Sequence, residues 1–360
     1  MNIMVFDVPA ENGGALSILN DFYNEVVENS SVNINWFFVL STPKLAETDN
    51  IKVLNFPWIK KGWGHRLYFD HFIAPKLVKE YRIDKVISFQ NITVPHTKCE
   101  QILYVHQSLP FVDYKFSVKE NGLFWVYQNI IGRNIISSIR KANKVIVQTQ
   151  WMKKKCAQKA QVLDNKIEVI PPTINIGRLK HFEPNEKALS TFFYPASAHI
   201  YKNHRVIVEA CKHLKNLTNL NYEVIFTLRG DENQYIADVY KEVQSQRLPI
   251  RFTGEKTREE VFELYTKSIL LFPSYIETFG MPMLEARRCE GIIIAADEPF
   301  SKEVLAEYKN AKFFDTFNAK ELSLLMYEYL QGQAEYYIAS EFEYRRNNSR
   351  RIIDAIEGSC

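Results

Sequence analysis

Short apolar runs alternate with segments of helical spacing from one end of this chain to the other, and that alternation limits the fold more than any other feature. The first half carries NIMVFDV, INWFFVL, KVISF, QILYVHQ and KVIVQT; the second carries TFFYPA, YEVIFTL, IRFTG, ILLFPS and GIIIAA. Between most of them lie stretches such as ALSILNDFYNEVVEN and HRVIVEACKHLKNL, whose apolar residues recur along one helix face. Strands and helices taken in turn imply an α/β protein in which helices cover parallel sheets. Two helix starts carry capping signatures, Thr257 with Glu260 before VFELY and Asn318 with Glu321 before LSLLMYEYL.

At 360 residues the chain exceeds a comfortable single core, which predicts two domains. Hydrophobic residues at 46%, charged at 24% and aromatic at 13% suit two filled interiors and argue against disorder. The alternation pauses once, in IEVIPPTINIGRLKHFEPNEKALS, where Pro171, Pro172 and Pro184 bracket a polar stretch without periodicity. The reading is a Rossmann-like domain over residues 1–172, a linker over 173–190 and a second Rossmann-like domain over 191–334. A tail over 335–360, helical in pattern and basic at Arg345, Arg346, Arg350 and Arg351, is expected to pack back on the first domain. Doubly wound sheets bind ligands beyond the carboxyl ends of their strands, so two facing domains would hold the ligand in a cleft between them.

Several classes are argued against. Cys99, Cys156, Cys211, Cys289 and Cys360 are widely spaced and form no CxxC pair, which suggests neither a disulfide framework nor a zinc site and fits a reducing cytosol. The N-terminal apolar run ends at Pro9 with no charged leader before it, so it reads as a first strand rather than a signal peptide. No segment reaches the roughly 18 apolar residues of a membrane helix. A net charge of +3 argues against a nucleic-acid partner but leaves room for a local basic patch. No D-x-D occurs and the histidines lack ligand spacing such as H-x-x-x-H, so no metal cofactor is expected.

The most pointed stretch is YIETFGMPMLEARR, residues 275–288. Pro282 suits the first turn of a helix, where its missing N–H costs nothing. Glu277 then lies in the loop, and the amides around Phe279, Gly280 and Met281 point out of the helix N-terminus as a seat for phosphate. A carboxylate beside a phosphate repels it, so Glu277 and Glu285 make better sense as acceptors for sugar hydroxyls on either side of a diphosphate. A nucleotide sugar has that layout. The plain alternative is an ordinary helix start, with Glu285 as a favourable first-turn charge and Glu277 solvated.

In its context the stretch resembles the retaining glycosyltransferases of family 4, also called group 1, whose fold is GT-B: two facing Rossmann-like domains with parallel sheets and an interdomain cleft. ETFGMPMLE, Glu277 to Glu285, matches their hallmark of two glutamates separated by seven residues around a glycine turn ending in P-x-LE. NGGALSIL at 12–19 is similar to the first glycine loop, YVHQSLPF at 104–111 to the central histidine segment, and KVIVQTQWMKK at 144–154 to the last strand and helix of the first domain. IEVIPPTIN resembles the crossover, and YPASAHIYKNH at 194–204 the loop with the phosphate lysine. FTGEKTREEVFELYTKSILLFPS and ADEPFSKEVLAEYKNAKFFD follow in family order, so the resemblance runs from about residue 2 to 333.

The resemblance implies a catalytic set of Glu277, Lys202 and His106. Glu277 would hold hydroxyls of the transferred sugar, Lys202 would neutralise the leaving diphosphate, and His106 would contact the donor sugar near the reacting carbon. Glu285 would bind the ribose, and Gly13 and Gly14 would let the first loop approach phosphates and acceptor. One departure stands out: the family often has Arg six residues before the lysine, where this chain has Ala196. Positive charge must then come from elsewhere, Arg205 and Arg229 being candidates, or be weaker. The implied chemistry is metal-independent transfer with retention, by same-face attack in which the leaving phosphate oxygen takes the acceptor proton. By residue type alone, Lys202 could equally be a solvated lysine, His106 a structural histidine, and the paired glycines a tight turn.

The acceptor side rests on FPWIKKGWGHRLYFDHF, residues 56–72, which interleaves Trp58, Trp63 and Tyr68 with Lys60, Lys61 and Arg66; WMKKKCAQK adds Trp151 and three lysines. This mixture suits an anionic membrane surface or a lipid-diphosphate acceptor, although a solvated face is the plainer reading. The resemblance implies a glycan or polyprenyl-diphosphate-linked oligosaccharide acceptor in the synthesis of cell-envelope polysaccharide (capsule, O-antigen or exopolysaccharide), and a cytoplasmic protein peripheral on the inner face of the membrane. Two rivals stand beside it. A non-catalytic glycosyltransferase-like binding subunit is kept open by Ala196; a nicotinamide-dependent oxidoreductase is weakened by AENGGALS where G-x-G-x-x-G should follow the first strand.

Overall fold

The computed structural model describes residues 1–11, 13–29, 33–174, 180–338 and 350–357. It divides into two compact units, Met1–Asn175 with Asn348–Cys360, and Ile176–Asn347. Residues 175–179 of the expected linker, Arg345 and Arg346 of the tail, Asn12 and Cys360 lie outside the described residues.

The first unit is built on seven strands: β1 (Asn2–Asp7), β2 (Asn35–Leu40), β3 (Ile51–Asn55), β4 (Lys85–Ser88), β5 (Glu100–Tyr104), β6 (Lys144–Val147) and β7 (Ile167–Val169). They pair in parallel in the order β3-β2-β1-β4-β5-β6-β7, which reverses direction between β1 and β4. Alternate residues of β1 serve opposite faces, as the two-residue period of a strand requires. Ile3 and Val5 pack with Phe22 and Val26 of the helix Gly13–Asn29, whereas Met4 and Phe6 pack with Phe69 and Leu77.

The helix Ile352–Glu357 joins this unit by burying Ile352, Ile353, Ala355 and Ile356 in the core that holds Phe22. Its ends meet charge of the favourable sign. The amide of Ile353 donates to Glu25 (3.1 Å), while the carbonyls of Ala355 and Ile356 accept from Lys144 (2.9 Å) and Lys85 (3.0 Å), the first residues of β6 and β4. Arg350 pairs with Glu168 at 2.8 Å.

The second unit has six strands: β8 (Thr191–Tyr194), β9 (Glu223–Phe226), β10 (Ile250–Phe252), β11 (Ile269–Phe272), β12 (Ile293–Ala296) and β13 (Ala311–Phe314). All pair in parallel, in the order β10-β9-β8-β11-β12-β13, and the reversal falls between β8 and β11. Within the stretch read as linker, Asn185 caps a helical turn, Glu186–Leu189, and Phe182 and Ala188 are buried in this second core. The capping box at Thr257 and Glu260 forms in full. At Asn318 only half does: its side chain accepts from the Glu321 amide (3.1 Å), but the Glu321 carboxylate turns to the amide of Asp315 (2.8 Å).

Three strands, β3, β7 and β13, are not among the apolar runs of the sequence. All three are edge strands with partly exposed residues, so they lack an unbroken apolar run. Among the described residues no helix is long and apolar enough to cross a membrane.

Candidate active site

In the second unit, the two loops leaving the carboxyl ends of β8 and β11 flank the reversal of strand order, where doubly wound sheets place ligands. The β8 loop runs to a 3-10 turn, Ile200–Lys202; the β11 loop carries Glu277 and leads into the helix Met281–Arg288. Backbone and side-chain bonds stitch the loops together. The amide of Tyr275 donates to the carbonyl of Tyr201 (3.1 Å), and Tyr194 at the end of β8 donates its hydroxyl to the carbonyl of Lys202 (2.7 Å). Asn203, in the left-handed region at φ 57°, donates its buried amide to the carbonyls of Pro273 (3.3 Å) and Thr316 (2.9 Å). Held this way, the Lys202 ammonium bonds directly to the Glu277 carboxylate, each side chain 17% exposed, and Ser274 donates to the same carboxylate at 2.8 Å.

Gly280 caps the helix Met281–Arg288 at φ 91° and has no side chain of its own to bond over that end. A Cβ at Gly280 would stand 2.5 Å from the Met283 methyl and 3.2 Å from the Phe272 ring, so both conformation and space call for glycine. Pro282 occupies the first turn as expected. The Phe279 side chain is buried in the core and Met281 packs against it, so whatever residues 279–281 offer a ligand comes from their backbone. Glu285 projects from the helix to accept from the hydroxyl of Tyr265 (3.0 Å), with Arg258 4.0 Å away. Burial raises the Glu285 pKa, and Tyr265 and Arg258 oppose that rise.

The two candidate replacements for a cation at Ala196 are placed differently. Arg229 is exposed and turned to Asp231 (3.2 Å), and the Arg205 side chain is exposed at the start of the helix His204–Leu217, its amide donating to the Tyr235 hydroxyl (3.3 Å). His204, next but one to Lys202, is fully buried among Tyr194 and Phe226; burial, then Lys202, pushes its pKa down to about 3, so it is a neutral ring.

In the first unit, Gly13 opens its helix at φ 60°, and among the described residues no heavy atom beyond the local chain lies within 4 Å of where a Cβ would stand at Gly13 or Gly14. His106 lies just beyond β5, its amide donating to Asn91 (2.8 Å) and its ring beside Tyr104 (5.8 Å). Burial pushes its pKa down to about 4, so at neutral pH it offers hydrogen bonds rather than charge. Two of the three basic residues singled out in residues 56–72 have acidic partners. Lys60 is held by Glu11 (3.0 Å) and the Pro9 carbonyl (3.1 Å), and Arg66 by buried Asp70 (2.7 Å) and Gln90 (2.9 Å). Exposed in this segment are Lys60, Lys61, His65 and His71 together with an apolar set, Trp63, Leu67, Tyr68 and Phe72. In the second basic stretch Lys155 pairs with Asp113 at 2.9 Å.

Sequence reasoning missed Asn203, Tyr265, Ser274 and Arg258, all of which position the predicted residues. All four lay inside stretches already singled out, but the partners of Asn203, Tyr265 and Arg258 come from other elements, and nothing in the spacing pointed to them. Among the described residues no group of three carboxylate, histidine or cysteine side chains is arranged to hold a metal ion.

Residues 178–347 match the family described as Glycosyl transferases group 1. No curated protein matches the chain. HepE from Anabaena, solved in complex with UDP-glucose, is 14% identical, with a TM-score of 0.63 over 92% of this chain and 90% of that one. TarM from S. aureus, solved as a mutant with fondaparinux, alpha-GlcNAc-glycerol and UDP, is 11% identical, with a TM-score of 0.65 over 92% and 93%. Sucrose-phosphate synthase from Thermosynechococcus elongatus is 11% identical, with a TM-score of 0.67 over 92% and 90%. The likeness is one of fold: two Rossmann-like domains on parallel sheets, the GT-B type. The family match falls on the second unit.

Proposed function

We propose that this chain is a retaining glycosyltransferase that moves a sugar from a nucleotide sugar to a growing glycan without a metal ion. The Lys202–Glu277 pair, fixed beside the open end of the helix Met281–Arg288, carries the reading. Glycosyl transfer breaks the bond between the anomeric carbon and the diphosphate, and negative charge grows on the departing oxygen as the ring becomes oxocarbenium-like. Lys202 and the helix end stabilise that charge. Glu277, released from Lys202 as the ammonium turns to the diphosphate, accepts hydrogen bonds from the sugar's hydroxyls, and Glu285, steadied by Tyr265, accepts from the ribose. The acceptor oxygen attacks from the face the diphosphate leaves, and its proton passes to the leaving phosphate oxygen. In the first unit, neutral His106 and the backbone at Gly13 and Gly14 are proposed as substrate contacts. HepE and TarM, both solved with UDP, favour a uridine nucleotide as the first donor to try.

For the acceptor the proposal is a lipid-linked oligosaccharide of cell-envelope polysaccharide synthesis, met at the membrane surface through Trp63, Leu67 and Phe72 with Lys61, rather than through Lys60 and Arg66. A thermal-shift series with UDP, GDP, dTDP and CMP sugars, followed by nucleotide release with acceptors in excess chelator, tests the function. One nucleotide sugar should raise the melting temperature, and its turnover should survive the chelator. A donor bound but never turned over would point to the binding subunit instead.

A further inference from the structure

In the first unit, residues 108–113 form a turn in which the amides of Phe111 (2.8 Å) and Val112 (3.2 Å) both donate to the Ser108 carbonyl, while Leu109, Phe111 and Val112 are buried. Three lysine side chains converge on this turn. Lys159 donates to the carbonyl of Pro110 (2.6 Å), Lys115 to that of Val112 (3.1 Å), and Lys155 to both carboxylate oxygens of Asp113 (2.9 Å each). Lys155 and Lys159 stand one turn apart on the helix Gln150–Ala160, which is anchored by buried Met152, Cys156 and Ala160. Solvated lysines would spread apart on their flexible stems; here the two carbonyls and the carboxylate hold them together.

Like charges held this close repel, and the ionisable groups register it. Desolvation lowers the Lys159 pKa, Lys115 lowers it further, Asp113 opposes the fall and Lys155 adds to it. The Asp113 carboxyl is lowered first by its bond from Lys155, burial opposing, and then by the charges of Lys155, Lys159 and Lys115. Three ammonium groups thus share one carboxylate, which is itself largely exposed. An ammonium has three donors, and among the described residues Lys115 and Lys159 each use one on a carbonyl, so both have others to turn to a ligand. A compact anion with several acceptor oxygens relieves the repulsion and meets donors from three directions, and lysine suits phosphate as a point charge. We propose that Lys115, Lys155 and Lys159 form a binding site for a phosphate group. None of them belongs to the donor site of the second unit, so the inference stands apart from the donor reading. Two sources offer this chemistry, free phosphate and the headgroup of an anionic phospholipid. Shortly after Lys115 the helix Val118–Val126 exposes Val118 and Leu123, apolar side chains suited to the acyl boundary beside such a headgroup.

Nuclear magnetic resonance of the full chain tests the site with inorganic phosphate, added at constant ionic strength against sodium chloride, by following the backbone amides around Asp113 and Lys159. Phosphate should shift these amides saturably where chloride does not. K115M/K159M should bind phosphate about tenfold more weakly or worse. D113N removes the competing carboxylate without touching a lysine and should bind more tightly, a gain that misfolding cannot mimic. Flotation with vesicles of phosphatidylcholine, alone and mixed with phosphatidylglycerol, then separates the two sources. If the headgroup is the ligand, the mixed vesicles should carry the wild type, lose K115M/K159M and release the wild type as phosphate is added. If free phosphate is the ligand, the vesicles should treat wild type and double variant alike while their phosphate affinities differ. Amides that respond to phosphate no more than to chloride, or a phosphate affinity left unchanged by K115M/K159M or by D113N, overturn the inference.

Discussion

Lys202→Met, Glu277→Gln and the double variant separate what the ion pair does for the fold from what it does for the chemistry. Unit charges about 4 Å apart at the effective dielectric of a protein surface attract by about 4 kcal/mol. Both side chains are only 17% exposed, so desolvation cancels much of that gain, and the coupling left in stability should be about 1–2 kcal/mol. Each single variant strands a mostly buried charge, and the double removes both, so its loss of stability should fall short of the sum of the single losses by that amount. Activity should behave in the opposite way. Losing Lys202 takes a charge from the departing phosphate and should slow turnover about 10²–10³-fold; losing Glu277 misplaces the sugar and should cost about 10²-fold. The double should turn over no faster than Lys202→Met alone. Urea unfolding with slopes compared across all four proteins gives the first quantity, and nucleotide release gives the second. Additive stabilities, or recovered turnover in the double variant, would refute the reasoning.

Three further outcomes follow from the same geometry. Gly280→Ala forces φ 91° on a residue with a side chain and presses it against Met283, so it should lose about 1–2 kcal/mol of stability and most donor affinity, checked by urea unfolding and thermal shift. Tyr265→Phe should cost about 1–3 kcal/mol near pH 7. The Glu285 pKa is already raised by burial, and Tyr265 holds it down. A raised carboxyl adds stability below its unfolded pKa and loses it as pH climbs through the folded one. The variant, with the higher folded value, should therefore close its deficit as pH falls from 7 to about 4, and a pH-independent deficit would contradict this. Lys85→Met removes the donor to the Ile356 carbonyl and should cost about 1–3 kcal/mol locally, seen as faster hydrogen exchange in residues 352–357 with the second unit unchanged.

The central strands of both sheets were legible because helices cover both their faces and leave unbroken apolar runs, as in ILLFPS and KVISF. The edge strands β3, β7 and β13 were not, since most of their residues are only partly buried or exposed and polar ones interrupt the apolar run. In the candidate site, Glu277, Gly280 and Glu285 could be singled out because glycine and proline punctuate the turn around them. What the spacing could not show is that Lys202 and Glu277 meet, 75 residues apart in the chain, or that Tyr265 and Ser274 steady the two glutamates. In residues 56–72 the pairing of Arg66 with Asp70, four residues on, was within reach of the spacing, but Lys60 finds Glu11 only through the fold.

A crystal structure with an intact nucleotide sugar bears most directly on the donor site. The diphosphate oxygens should lie within about 3 Å of the Lys202 ammonium and of backbone amides entering the helix Met281–Arg288, with Glu277 turned from Lys202 to the sugar. A donor lodged elsewhere, with Lys202 still bonded to Glu277, would contradict the account.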